Sequence, residues 1–269
     1  MNEHGFSSPF INKLDSFAGV YENDRATYKG ILSKIVYFMA VIGLGIGAFF
    51  LLHSHLAANG AVVAQDFGEG FVVYQTEMIA VVISIIAMLV SALVNAFAPA
   101  AIPLFGTVYS AATGYAITFV SRSYAHAYSG IVIEALVLTV LLVAVMAFLY
   151  FSGIVRVTSK MRMIVTSAFL TMFGASVIYF IMAMVAPNSA IVKSIAAINN
   201  GPLGNVFSFI GVAIACFFLI FDFDRIVGIV DNGLERKYEW FAAYGVAVDV
   251  IYLYLKILEL LAKLQRNRN

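Results

Sequence analysis

Asp222, Asp224 and Arg225 stand in the string Phe221-Asp222-Phe223-Asp224-Arg225-Ile226, inside an otherwise apolar run. A charged side chain at the centre of a bilayer costs about 3 kcal/mol on insertion scales, so such groups face a partner or a wet cavity. At about 100° per residue, Asp222 and Asp224 point roughly 200° apart and cannot serve one site together. Asp222 and Arg225, three residues apart, can pair. Asp224 and Arg225 also suit a solvated anchor at a helix end, a reading weaker for the deeper Asp222. A second set follows in the next apolar run. Asp249 and Lys256 share a helix face, roughly 10 Å apart along the axis, with Tyr252 between them. Glu259 and Lys263 extend this polar flank in the favourable i, i+4 order. A continuous polar stripe cannot face lipid, so this segment belongs inside a bundle. The alternative for Lys256, Glu259 and Lys263 is that they snorkel toward one interface. Glu134, near the start of a third run, fits an interface as well as an interior.

Other chemistry finds less support. There is no HExxH, GxSxG or P-loop string, and no acids placed for a hydrolase, so an enzyme is not expected. His53 and His55 face apart at a helix end, a poor start for metal binding. Neither a metal nor a cofactor is expected. Arg122 with His126 reads as a loop edge, and Glu77 as a cap at the positive end of a helix. Cys216 is the one cysteine and reads as a small buried hydrophobe.

The elements that carry these groups are set by composition. Hydrophobic residues make up 62% of the chain and charged ones 12%, against about 45–50% and about 25% in soluble domains. Several apolar runs exceed the roughly 18 residues that cross a bilayer. The fold class is therefore an all-α membrane protein, with the lipid bilayer as its first partner. Net charge is +1, which gives no basic excess to attract nucleic acid.

Seven segments emerge: Ile31–Leu56, Met78–Phe97, Ile102–Val120, Gly130–Gly153, Met163–Val185, Asn205–Val227 and Trp240–Leu264. Pro99 and Pro103 split the second from the third and predict a tight hairpin. Residues 186–204, with Pro187-Asn188 and Asn199-Asn200-Gly201-Pro202, read as a loop. Residues 1–29 form a polar tail without the apolar core of a signal peptide, ahead of a membrane domain over 30–269. Lys13, Arg25, Lys29 and Lys34, then Arg156, Lys160 and Arg162, then Arg225, Arg236 and Lys237 fall on one side. Arg122 and Lys193 fall on the other. The positive-inside rule places the N-terminus in the cytoplasm. Lys263, Arg266 and Arg268 would lie outside if all seven segments span, against that rule. The length of the last segment nevertheless favours a full crossing.

The last third resembles a known family. Phe221-Asp222-Phe223-Asp224-Arg225-Ile226, then Tyr238-Glu239-Trp240-Phe241-Ala242-Ala243-Tyr244-Gly245, then Leu253-Tyr254-Leu255-Lys256-Ile257-Leu258-Glu259 look like the Bax inhibitor (transmembrane Bax inhibitor motif) family. Tyr128-Ser129-Gly130, Ser152–Thr158 and Ser7-Ser8-Pro9-Phe10 are similar to its bacterial YccA-like branch. The resemblance implies seven helices with the seventh central and surrounded by the other six, in a bacterial cytoplasmic (inner) membrane. It also implies a pH-sensitive calcium leak, in which an acid on the sixth helix meets an acid on the seventh. Two such carboxyls share a proton and hold the path shut; once deprotonated, they repel and open an anionic route for Ca²⁺.

Asp222 matches the sixth-helix acid. The seventh-helix position is Lys256 here, and Thr113 stands where the family usually shows a Glu. Two arrangements remain: Asp249 supplies the second acid, or Asp222 pairs with Lys256 and gating is weak. The expected function is thus an ion leak channel or regulator, with Asp222, Asp249 and Lys256 as pore and pH sensor. Asp224, Arg225, Glu259 and Glu134 supply supporting charge. The rivals are a non-conducting scaffold that regulates a membrane-protein partner such as a protease, and a small-solute secondary transporter.

Overall fold

A computed structural model describes residues 25–66 and 71–266. Most of the expected tail, with Lys13 and the Ser7–Phe10 string, lies outside the described residues, as does Arg268. Among the described residues, eight α-helices run in chain order: α1 Tyr28–Ala58, α2 Gln75–Phe97, α3 Ile102–Ala127, α4 Ile131–Phe151, α5 Ser159–Val185, α6 Ala190–Asn200, α7 Pro202–Asp231 and α8 Tyr238–Arg266. A short antiparallel hairpin, β1 Val63–Asp66 and β2 Val72–Tyr74, lies between α1 and α2.

Among the described residues, six helices are long and apolar enough to cross a membrane, namely α1 to α5 and α7, with α3 counted from Pro99. α8 is not among them and carries Asp249, Lys256, Glu259 and Lys263 along its length. It nevertheless runs the length of the bundle. At about 1.5 Å per residue its 29 residues extend roughly 43 Å. Glu239 at its start pairs with Lys34 of α1. Near its end, Gln265 donates to Glu134 of α4 and Arg266 to Asn200 of α6. Its two ends therefore lie at opposite ends of the bundle, as a full crossing requires.

α8 packs directly on α1, α3, α4 and α7. α5 reaches it through Phe169, whose ring lies 5.9 Å from that of Tyr252. α2 is held chiefly by α3. The main core is built from α7 and α8, where Leu219, Ala243, Leu253 and Leu258 are fully enclosed. By contrast, Val165 is the one buried residue of α5. A helix so apolar and so little covered is what a lipid-facing span looks like.

α1 and α3 cross at close backbone approach. A Cβ on Gly45 would strike the Ala111 carbonyl oxygen, and one on Gly114 would strike that of Ile42. Small residues let the two backbones approach, which is how helices associate in lipid without a hydrophobic drive.

Two sequence expectations change. Residues 186–204 hold a helix, α6, capped by the Ser189 hydroxyl, which accepts from the Val192 N–H. The third segment does not end at Val120 but continues through Arg122 and His126 to Ala127. Its polar last two turns still satisfy their backbone hydrogen bonds and find side-chain partners, so a drop in hydropathy did not mark a helix end.

A candidate proton and ion site where α7 meets α8

Asp222 is buried on α7, 2% exposed. Its Oδ1 accepts from Arg225 Nη1 at 2.7 Å, one helical turn on. Its Oδ2 is enclosed and meets no N–H or hydroxyl donor among the described residues. The carboxyl of Asp249, on α8, lies within hydrogen-bonding reach of Asp222. Gly245, one turn before Asp249, makes this approach feasible. A Cβ there would come within 2.9 Å of Arg225 Nη1 and 3.0 Å of Asp222 Oδ1. The Arg225 guanidinium also lies over the Phe241 ring, 5.2 Å from its centroid.

Two carboxylates in contact within a low-dielectric interior cannot both be charged, so contact requires a proton between them. Arg225 already compensates a negative charge on Asp222. The site gathers one guanidinium and two carboxyls from two helices.

The other predicted residues are placed elsewhere. Asp224 faces away from Asp222, as the helix geometry requires, and pairs with Arg162 at 3.0 Å while accepting from the Tyr150 hydroxyl at 3.2 Å. Lys256 does not meet Asp222. It pairs with Glu259 at 2.9 Å, and the same Glu259 pairs with Lys263 at 2.8 Å. The arrangement in which Asp222 is locked by Lys256 is therefore not formed, because Lys256 lies two turns beyond Asp249 with an acid of its own. Lys263 is buried, and also donates to Asn199 and Ser208. Glu134 is exposed at the start of α4.

Two further ionic clusters went unread in the sequence. At the α8 start, Glu239 is 1% exposed and meets Lys34, the Thr27 N–H at 2.8 Å and the Thr27 hydroxyl at 3.2 Å. Burial alone would push this carboxyl up, but the Lys34 ammonium and the Thr27 donors bring it below its ordinary 4.5. At the opposite end, Glu77 is fully buried. It meets His53 Nδ1 at 2.5 Å and accepts from the Tyr74 N–H at 3.0 Å. Arg122 lies 3.9 Å from Glu77 and 3.3 Å from His53 Nε2. Glu77 caps α2 as expected, yet it is also the centre of a three-helix cluster. His53 and Arg122, 69 positions apart, gave no local pattern that could have joined them.

Among the described residues, no group of three or more His, Cys, Asp or Glu side chains converges as a metal cage. A comparison with curated proteins yields no match. The Bax inhibitor 1 like family matches residues 8–266, nearly the whole chain, and the protein belongs to that family.

Proposed function

We propose that the protein is a proton-gated cation leak, with Asp222 and Asp249 as its gate and calcium as the ion in transit. The observation that carries this reading is the approach of the half-buried Asp249 carboxyl to the buried Asp222, where removal of a shared proton must create repulsion between α7 and α8. In the protonated state the pair ties the helices together. In the deprotonated state two anions face one another and offer oxygen ligands to a hard divalent cation, with water completing its shell. Lys256 lies two turns further along α8, where Glu259 offsets the charge that would otherwise turn a cation back.

The setting is a bacterial cytoplasmic membrane, with the Lys34–Glu239 end of the bundle in the cytoplasm. The concentration of Arg and Lys at that end supports this orientation. Residues 30–269 form the membrane domain and residues 1–29 its cytoplasmic tail.

The test is calcium flux into proteoliposomes across the neutral pH range. Wild type should leak more as pH rises. Asp249→Asn keeps a donor to Asp222 that cannot be titrated, and should leave the path shut at every pH. Flux that retains its pH dependence in both Asp222→Asn and Asp249→Asn would remove the pair from the gate. Folded protein that conducts at no pH would leave the non-conducting scaffold as the reading.

A further inference from the structure

A cavity of about 360 Å³ lies beside Asp249. Its floor is α3 and α8, and its walls come from α2, α5 and α7. Tyr252, near the midpoint of α8, places it halfway through the bundle. Neither α2 nor α5 makes the other its main neighbour: α2 packs on α3, and α5 on α7. The space between them is where the cavity meets the lipid. Ile85, which lines it from α2, is 47% exposed on that outer surface.

The lining is unusual for a lipid-facing hollow. Aromatic rings gather on one side: Phe169 and Phe218 lie 5.0 Å apart edge to face, and Tyr252 sits 5.9 Å from Phe169. Polar groups share the lining. Asp249 lines the cavity, and so does Thr113, which is 3% exposed and whose hydroxyl has Tyr109 as its side-chain neighbour. An apolar wall of rings with an acid in the same lining suits one kind of molecule. Its body must be compact and apolar, and it must carry a basic nitrogen that can become a cation near aromatic faces.

From this juxtaposition of an aromatic wall, the buried Thr113 hydroxyl and the Asp249 carboxyl in one cavity, we propose that the cavity is a binding site for lipid-soluble monoamines. The amine enters from the hydrocarbon layer as the uncharged base, since a charged one would meet the insertion penalty. The proton on Asp249 Oδ then passes to the amine nitrogen. The O–H bond breaks as the N–H bond forms, and the product is an ammonium–carboxylate pair with no other reactant needed. Thr113 Oγ1 accepts one ammonium N–H, and the rings take the apolar body. The site rests on the acid–acid reading of Asp222 and Asp249, because it uses the proton that their contact requires.

The experiment uses full-length protein in nanodiscs, with 1-adamantylamine as the probe and 1-adamantanol as its isosteric, non-basic control. Equilibrium binding is followed together with the thermal midpoint. Saturable binding of the amine, at least tenfold tighter than that of the alcohol, is expected. Asp249→Asn should abolish the difference between the two. Because Asp249→Asn alters the acid pair, Ala116→Phe supplies the second variant; it fills the cavity while both acids are kept and should abolish amine binding. Equal affinity for amine and alcohol, or amine binding unchanged in both variants, overturns the proposal. Calcium flux is read separately on the same preparations. Amine binding without flux removes the leak and keeps the site, whereas flux without amine binding removes the site and keeps the leak.

Discussion

Glu239 and Asp222 are both buried carboxylates at helix contacts with α8, yet their surroundings differ in kind. Glu239 meets an ammonium, a backbone N–H and a hydroxyl, so each of its oxygens has a donor. Asp222 meets one guanidinium on Oδ1 and otherwise faces another acid. The first arrangement has one stable charge state; the second changes its internal force with each proton. A fully satisfied cluster fixes where α1 meets α8. A partly satisfied one responds to a proton and is suited to switching. The His53–Glu77–Arg122 cluster belongs with the first kind, since Glu77 bonds to His53 and the Tyr74 N–H with the Arg122 guanidinium 3.9 Å away.

The largest effect should come from breaking the satisfied cluster. Glu239→Ala leaves the Lys34 ammonium enclosed without its carboxylate, and should cost about 3 kcal/mol of stability, seen as a lower thermal midpoint in detergent. Acid should do the same to wild type more gently. The folded Glu239 carboxyl sits below its ordinary 4.5, so its contribution is present above that value. The contribution is then lost as pH falls through the folded pKa. Acid-induced loss of the thermal midpoint in this window should be absent from Glu239→Gln.

Gly245→Ala comes next and tests the other cluster. The added methyl would press on Arg225 and Asp222 together, costing about 2 kcal/mol by overpacking. Arg225 is one-third exposed and can swing toward solvent, so the change should separate it from Asp222 and shift the pH dependence of flux. Asp222→Asn should cost less, about 1 kcal/mol, because the freed Arg225 reaches water. Its main effect should be on conduction. The smallest change is expected from Lys256→Met. Lys263 still holds Glu259, so stability should move by less than about 1 kcal/mol on a thermal scan.

Much of this was legible in the chain. The apolar runs gave the spans to within four residues except at the end of α3, seven residues past Val120, because lipid imposes one requirement on every residue of a crossing helix. The angular step of a helix separated Asp222 from Asp224 and joined Asp222 to Arg225, since both relations are local. Asp249 as the partner of Asp222 could be posed but not decided, because two helices can meet at many rotations; Gly245, the residue that sets the rotation, bears no charge to draw notice. α6 was hidden by its own loop-forming residues, which turn out to be its caps and flanks. The Glu77 cluster depends on three helices and a hairpin converging, which no periodicity records. Lys256 misled because it occupies the position of an acid in the family string, whereas the structure gives it a local partner in Glu259.

The central claim is that the closed site holds one proton between Asp222 and Asp249. Infrared difference spectroscopy on reconstituted protein, titrated through the neutral range, reads that proton directly as the carbonyl stretch of a protonated carboxyl. The account predicts one such band that is missing in Asp249→Asn and fades over the same pH interval in which calcium flux appears. A band that persists unchanged while the leak opens, or its absence from wild type when the leak is closed, would contradict it.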